Sequence, residues 1–178
     1  MTCKGQRPDT IRMVELVDAL RIRITDPMRR TDAGMEPVPL RSVADRKQLD
    51  AAEDTIGHPL PHVLRLVLEQ VANGGFGPGS GLLGVGPTGH RINLASGEVD
   101  LNLPDFHRFQ VERDPRWDRD QLVILDWGDA IWATVSLSTG FVGTFRGDTD
   151  TYEAQHLEPL GIDLQTWLMR WARGERVS

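Results

Sequence analysis

Apolar positions near the start of the chain recur at helical spacing: Ile11, Val14, Val17 and Leu20. With Pro8-Asp9-Thr10 as a plausible start, this pattern predicts a helix over residues 8–25. Residues 31–40, with Gly34, Pro37 and Pro39, read as a connector. A second helix is expected over 42–56, capped by Ser42 with Asp45 three residues on. Leu49, Ala52 and Ile56 form its stripe and Gly57 stops it. Leu60-Pro61 opens a third helix, because proline in a first helical turn gives up no hydrogen bond. Its Val63, Leu64, Val67, Leu68 and Val71 are nearly continuous apolar surface, which predicts the most buried helix of the chain. Residues 103–111, with Phe106 and Phe109, predict another helix.

The pattern then shifts to the rhythm of strands. Residues 121–126, 130–137 and 141–146 read as strands, joined by turns at Trp127-Gly128-Asp129 and Ser138-Thr139-Gly140. A shorter strand is expected at 82–85. Residues 91–101 are mixed, with Ser96-Gly97 as a turn between short strands. A closing helix from Asp163, its cap, to about Arg173 carries Leu164, Trp167, Leu168 and Trp171 on one stripe. Helices, then strands, then a helix predict an α+β fold: an antiparallel meander with helices packed on one face. Residues 1–40 are expected to form a helical extension and connector, and residues 41–178 the α+β domain.

Composition narrows the class. A chain of 178 residues suits one domain, and 39% hydrophobic with 26% charged residues is ordinary for a folded protein. No stretch has the apolar length to span a bilayer, and the polar N-terminus lacks the apolar centre of a secretory signal. The single Cys3 cannot form an internal disulfide. A cytoplasmic, reducing location is the expectation. The net charge of −6 is uneven: residues 93–163 hold fourteen acidic and five basic side chains, and residues 1–48 seven acidic and ten basic. The acidic half argues against a nucleic-acid groove, which needs clustered Lys and Arg. It suits a basic protein partner.

Candidate chemistry is sparse. Asn73, Gly74, Gly75, Gly77 and Gly79 define a glycine-rich loop whose role reads as structural. Gly79 to Gly84 matches the spacing of a dinucleotide fingerprint, but that motif must leave a strand and open a helix. Here it leaves a helix and enters a strand. Gly84 to Gly89 has phosphate-loop spacing with His90 in place of the lysine. His58 and His62 have the spacing of a helical zinc pair, but Pro59 and Pro61 break any helix between them. Surface or capping roles are expected for these histidines and for His90, His107 and His156. Ser80 lacks the strand–elbow–helix setting of a hydrolase nucleophile. Trp132, Trp167 and Trp171 read as core. Trp127, in a turn beside Asp126 and Asp129, reads as packing on the sheet edge or meeting a partner. Asp118, Asp120, Asp126 and Asp129 leave a metal site open as an alternative, and with it a metal-dependent hydrolase.

Taken together, the segments from Leu40 onward resemble the SUKH superfamily, which includes the yeast cell-wall assembly regulator and many bacterial immunity proteins. The resemblance lies in the order of Leu60-Pro61, Asn73-Gly74-Gly75, Leu82-Leu83-Gly84, Leu125-Asp126-Trp127-Gly128, Ser138-Thr139-Gly140-Phe141-Val142 and Leu164-Gln165-Thr166-Trp167-Leu168. It implies an α+β fold and no catalytic activity, and no cofactor is expected. In bacteria it implies an immunity protein that occludes a toxin, often a nuclease or deaminase. An intracellular regulatory scaffold is the alternative within the same resemblance. Asp118, Asp120, Asp126, Trp127 and Asp129 are the expected partner-binding residues, and neither nucleic acid nor a membrane is expected as a partner.

Overall fold

Helix α1 spans Pro8–Ile24. Its buried row is Leu16, Leu20 and Ile24 with Val17 beside them, and α1 packs on the last helix of the chain. Val14, expected on the stripe, is 54% exposed, because the i, i+4, i+8 row from Leu16 is the one that faces the core. The side chain of Ile11 lies outside the described residues. The structure, a computed structural model, describes residues 8–32, 39–93, 100–147 and 156–177. Much of the connector and the Ser96-Gly97 turn therefore fall outside it.

After a 3₁₀ turn at Pro27–Arg29, α2 runs over Arg46–Ile56. It starts later than expected, because Asp45, not Ser42, caps it. The Asp45 carboxylate accepts from Gln48 N at 2.8 Å, and Gln48 Oε1 accepts from Asp45 N at 3.0 Å. This reciprocal box satisfies two otherwise orphan donors, which a serine further upstream does not. The chain from Ser42 to Ala44 lies along α3 (His62–Gln70) instead: Ala44 N donates to Leu68 O at 2.9 Å. Gly57 ends α2 in the left-handed region, φ 78°.

Strands β1 (Ile92–Asn93) and β2 (Asp100–Leu101) form a small antiparallel pair, followed by α4 (Leu103–Arg113). The main sheet then forms as β3 (Gln121–Gly128), β4 (Ile131–Ser136), β5 (Phe141–Arg146) and β6 (His156–Asp163). The four strands are neighbours in chain order and pair antiparallel throughout. The expected α+β arrangement with an antiparallel meander is what the chain adopts. Helix α5, Leu164–Ala172, closes it, with the Asp163 carboxylate accepting from Thr166 N at 2.7 Å. α5 buries Leu164, Trp167, Leu168 and Trp171, more aromatic surface than α3, whose fully buried residues are Leu64, Val67 and Leu68.

Two strand expectations change. Residues 82–85 form no strand, although Leu82, Leu83 and Val85 are fully buried. Their amides turn to different partners: Leu82 N to Phe76 O, Leu83 N to Ile124 O, and Val85 N to Asn73 Oδ1. A ladder needs consecutive bonds to one neighbour. Conversely, β6 carries no strand signal in the sequence, because Pro159 and Gly161 interrupt its pattern. An edge strand tolerates both.

Leu122, Val123, Ile124 and Leu125 are consecutive and all buried, and strand side chains alternate between faces. β3 is therefore covered on both sides. Phe106 of α4 meets the half-buried Trp132 at 4.9 Å, and Trp167 of α5 meets Trp127 at 6.3 Å, edge to face. Trp117, just before β3, is buried against Phe145 at 5.0 Å and donates its Nε1–H to Gln121 O. The cover thins toward the other edge, where Phe141 is 49% and Leu157 40% exposed.

Candidate functional site

The β3–β4 hairpin has an unusual tip. Trp127 and Gly128 belong to β3, so the turn is Asp129-Ala130 and not Trp127-Gly128-Asp129. Both turn residues are left-handed, at φ 51° and 57°. Tight hairpins use this conformation because it matches strand twist, but they normally place glycine at the second position. Alanine there carries a Cβ against the backbone. Ala130→Gly is therefore expected to stabilise the fold by about 1 kcal/mol, read as a higher urea midpoint with an unchanged slope. A midpoint at or below that of the parent removes the strain argument.

The hairpin rests on the glycine-rich loop. Ser80 donates both its N–H and its Oγ–H to the Asp126 carbonyl, each at 2.9 Å. Gly79 N donates to Asp32 Oδ2 at 2.9 Å. A Cβ on Gly79 would come within 2.5 Å of Asp126 O, so only glycine permits this approach. The loop is itself tied at its base by Asn73. Its side chain accepts from Val85 N at 2.8 Å and donates to Val85 O at 2.9 Å, fully buried. Gly84 leads, through Val85, into a turn over residues 86–88 and not into the strand expected there.

Within the tip, the half-buried Asp126 carboxylate accepts from Gly128 N at 2.7 Å. Burial pushes this carboxyl above the usual carboxylate range, the Gly128 N–H pulls it back, and Asp129 pushes it up again. Asp129 is exposed. Trp127 is half-buried, and its Nε1 has no hydrogen-bond partner among the described residues.

The other expected partner-binding residues lie elsewhere. Asp118 and Asp120 precede β3, while Asp126 and Asp129 stand at its far end, about 20 Å away at the rise of a strand. The two pairs do not form one patch. Asp120 is engaged by its own surroundings: Ser136 Oγ donates to it at 2.6 Å, Ser138 N at 2.9 Å and Ser138 Oγ at 3.1 Å. Burial pushes its carboxyl up, but these bonds and the nearby His58 outweigh it and hold the carboxyl below the usual range. Asp118 is exposed and accepts from Asp120 N.

Beside this second end opens a cleft of about 380 Å³, between the α2–α3 connector, the β4–β5 turn and the start of α5. His58 and His62 line it and both are exposed, as expected. His58 Nδ1 lies 2.8 Å from Pro59 O, which places a proton on that nitrogen. Among the described residues, no group of three or more His, Cys, Asp or Glu side chains is placed to hold a metal ion.

His90 and His107 depart from the surface role expected of them. Both are buried, and burial lowers the pKa of each imidazole. A lone histidine beside glycines carries no periodic signal, so the sequence does not mark it as buried. Among the described residues, no helix is long and apolar enough to cross a membrane. No protein-family model matches this chain, and no curated protein or solved structure matches it either.

Proposed function

We propose that this chain is a non-catalytic protein-binding domain of the cytoplasm that neutralises a basic toxin domain by covering it. The observation that carries this reading is the hairpin tip, where Asp126 and the exposed Asp129 are held on a strained turn braced by a buried glycine loop. Strain of this kind persists where surrounding structure enforces it, and it gathers at binding sites. A fixed acidic tip suits a basic cleft such as one that holds phosphates, with association steered by charge. The SUKH-like order of segments along the chain points the same way.

The test is co-expression with the product of the reading frame adjacent to this gene. Protection of the cells and a stable complex are the expected results. Absence of both overturns the proposal, and capture of endogenous regulators in place of a toxin favours the scaffold reading. In that complex, Asp126→Asn with Asp129→Asn is expected to slow association roughly tenfold at low salt and to flatten its salt dependence. Stopped-flow rates that do not change would remove the tip from the interface.

A further inference from the structure

His90 ties the base of the glycine-rich loop, the loop that seats the hairpin, through its own backbone. Its backbone N donates to Asn73 O at 2.9 Å, and its carbonyl accepts from Gly84 N at 2.9 Å. The Ser80 backbone is among the groups that favour a proton on the ring, and Ser80 itself donates twice to the Asp126 carbonyl. The ring nitrogen Nε2 is buried with no partner among the described residues, and the residue is only 7% exposed. A neutral imidazole accommodates this arrangement, because Nε2 is then an acceptor whose isolation costs little. An imidazolium does not, because a charged N–H would be buried unpaired.

We propose that His90 is an acid-sensitive latch: gaining a proton releases the glycine loop that seats the Asp126–Asp129 hairpin. The proposal rests on the partner-binding reading above and adds a means of regulating that site. The charged groups facing the ring are Arg41, from the segment before α2, and Asp100, from β2. Arg41 repels the proton and Asp100 attracts it, but Asp100 is already paired with Arg91 at 3.0 Å. The loop itself, residues 73–89, holds no ionisable side chain to receive the charge. Burial is the largest influence on the ring and opposes the proton.

The direction follows from linkage. With the loop open, the ring takes its ordinary pKa, about 6.5. With the loop seated, it stays neutral to lower pH. Seating is therefore fully stable above about pH 6.5 and weakens as the pH falls below that value. Asp126 titrates in the acid range as well, so a lowered pH also removes charge from the tip.

Amide exchange of the free protein tests the latch without any partner. After correction for intrinsic rates, the Ser80 and Gly84 amides are expected to exchange roughly tenfold faster, relative to core amides of β4, at pH 5.5 than at pH 7.5. His90→Gln is expected to lose this acid response, and His107→Gln to keep it. An unchanged exchange ratio in the parent, or an equal acid response in His90→Gln, overturns the latch. If His90→Gln fails to fold, Arg41→Gln decides. Removing the repelling charge must weaken the acid response, and an undiminished response overturns the proposal. Complex formation at pH 7.5 is scored separately, so a latch without a partner sinks only the binding reading.

Discussion

Trp167→Ala is expected to lower the unfolding free energy by about 3–5 kcal/mol, more than any other substitution proposed for this chain. Trp167 is fully buried on α5 among Leu164, Leu168 and Trp171. Its Nε1–H donates to Val177 O at 2.8 Å, which ties the residues after α5 back onto that helix. Its ring also supports Trp127, edge to face at 6.3 Å. Truncation leaves a cavity that the surrounding helices and sheet fill only partly, and it frees a carbonyl of its hydrogen-bond partner. The consequence reaches the candidate site, because Trp127 adjoins Asp126. Urea unfolding followed by tryptophan fluorescence measures the loss. A change below about 1.5 kcal/mol would show that the α5–sheet contact is not the anchor argued here.

Asn73→Ala follows, with an expected loss of about 2–4 kcal/mol. The side chain contributes two hydrogen bonds, both to the backbone of Val85, in a fully buried setting. The net value of each bond is modest. The greater cost lies in what remains after truncation: a donor and an acceptor on Val85 shut away from water. Because Asn73 holds the base of the loop and Ser80 the hairpin, the variant is also expected to be cut more readily between residues 74 and 90 by added protease. Parent-like stability together with parent-like resistance would show that the loop is held by its other bonds alone.

Much of the architecture is legible in the sequence because it depends on local periodicity. The limits of α1 and α4, the three strands β3, β4 and β5, and the cap at Asp163 follow from spacing and from residue types that favour ends. Where two local devices compete, the sequence is ambiguous: Ser42 and Asp45 both make helix caps, and only Asp45 has Gln48 three residues on to answer it. Leu82 to Val85 has the composition of a strand, yet its amides go to three different partners, a matter of which backbone groups come within reach. β6 is hidden for the opposite reason. Pro159 and Gly161 disguise a strand that needs partners on one side only.

The candidate site divides in the same way. Its residue types are visible in the sequence: an acidic stretch around Trp127 and a run of glycines. Its grouping is not, because Asp118 and Asp120 are near neighbours of Asp126 along the chain but stand at the opposite end of one strand. The place of His90 is equally hidden, since its environment comes from Ser80, Arg41 and Asp100, each at least nine residues away along the chain.

The helices, the strands β3 to β5 and the α+β class are thus written in local pattern, because hydrophobic period, caps and turn residues act over a few positions. Which acidic residues share a surface, which histidines are buried and how the glycine loop carries the hairpin are settled by packing alone. Those properties belong to contacts between distant segments, and a buried group's charge and partners depend on what the fold places around it.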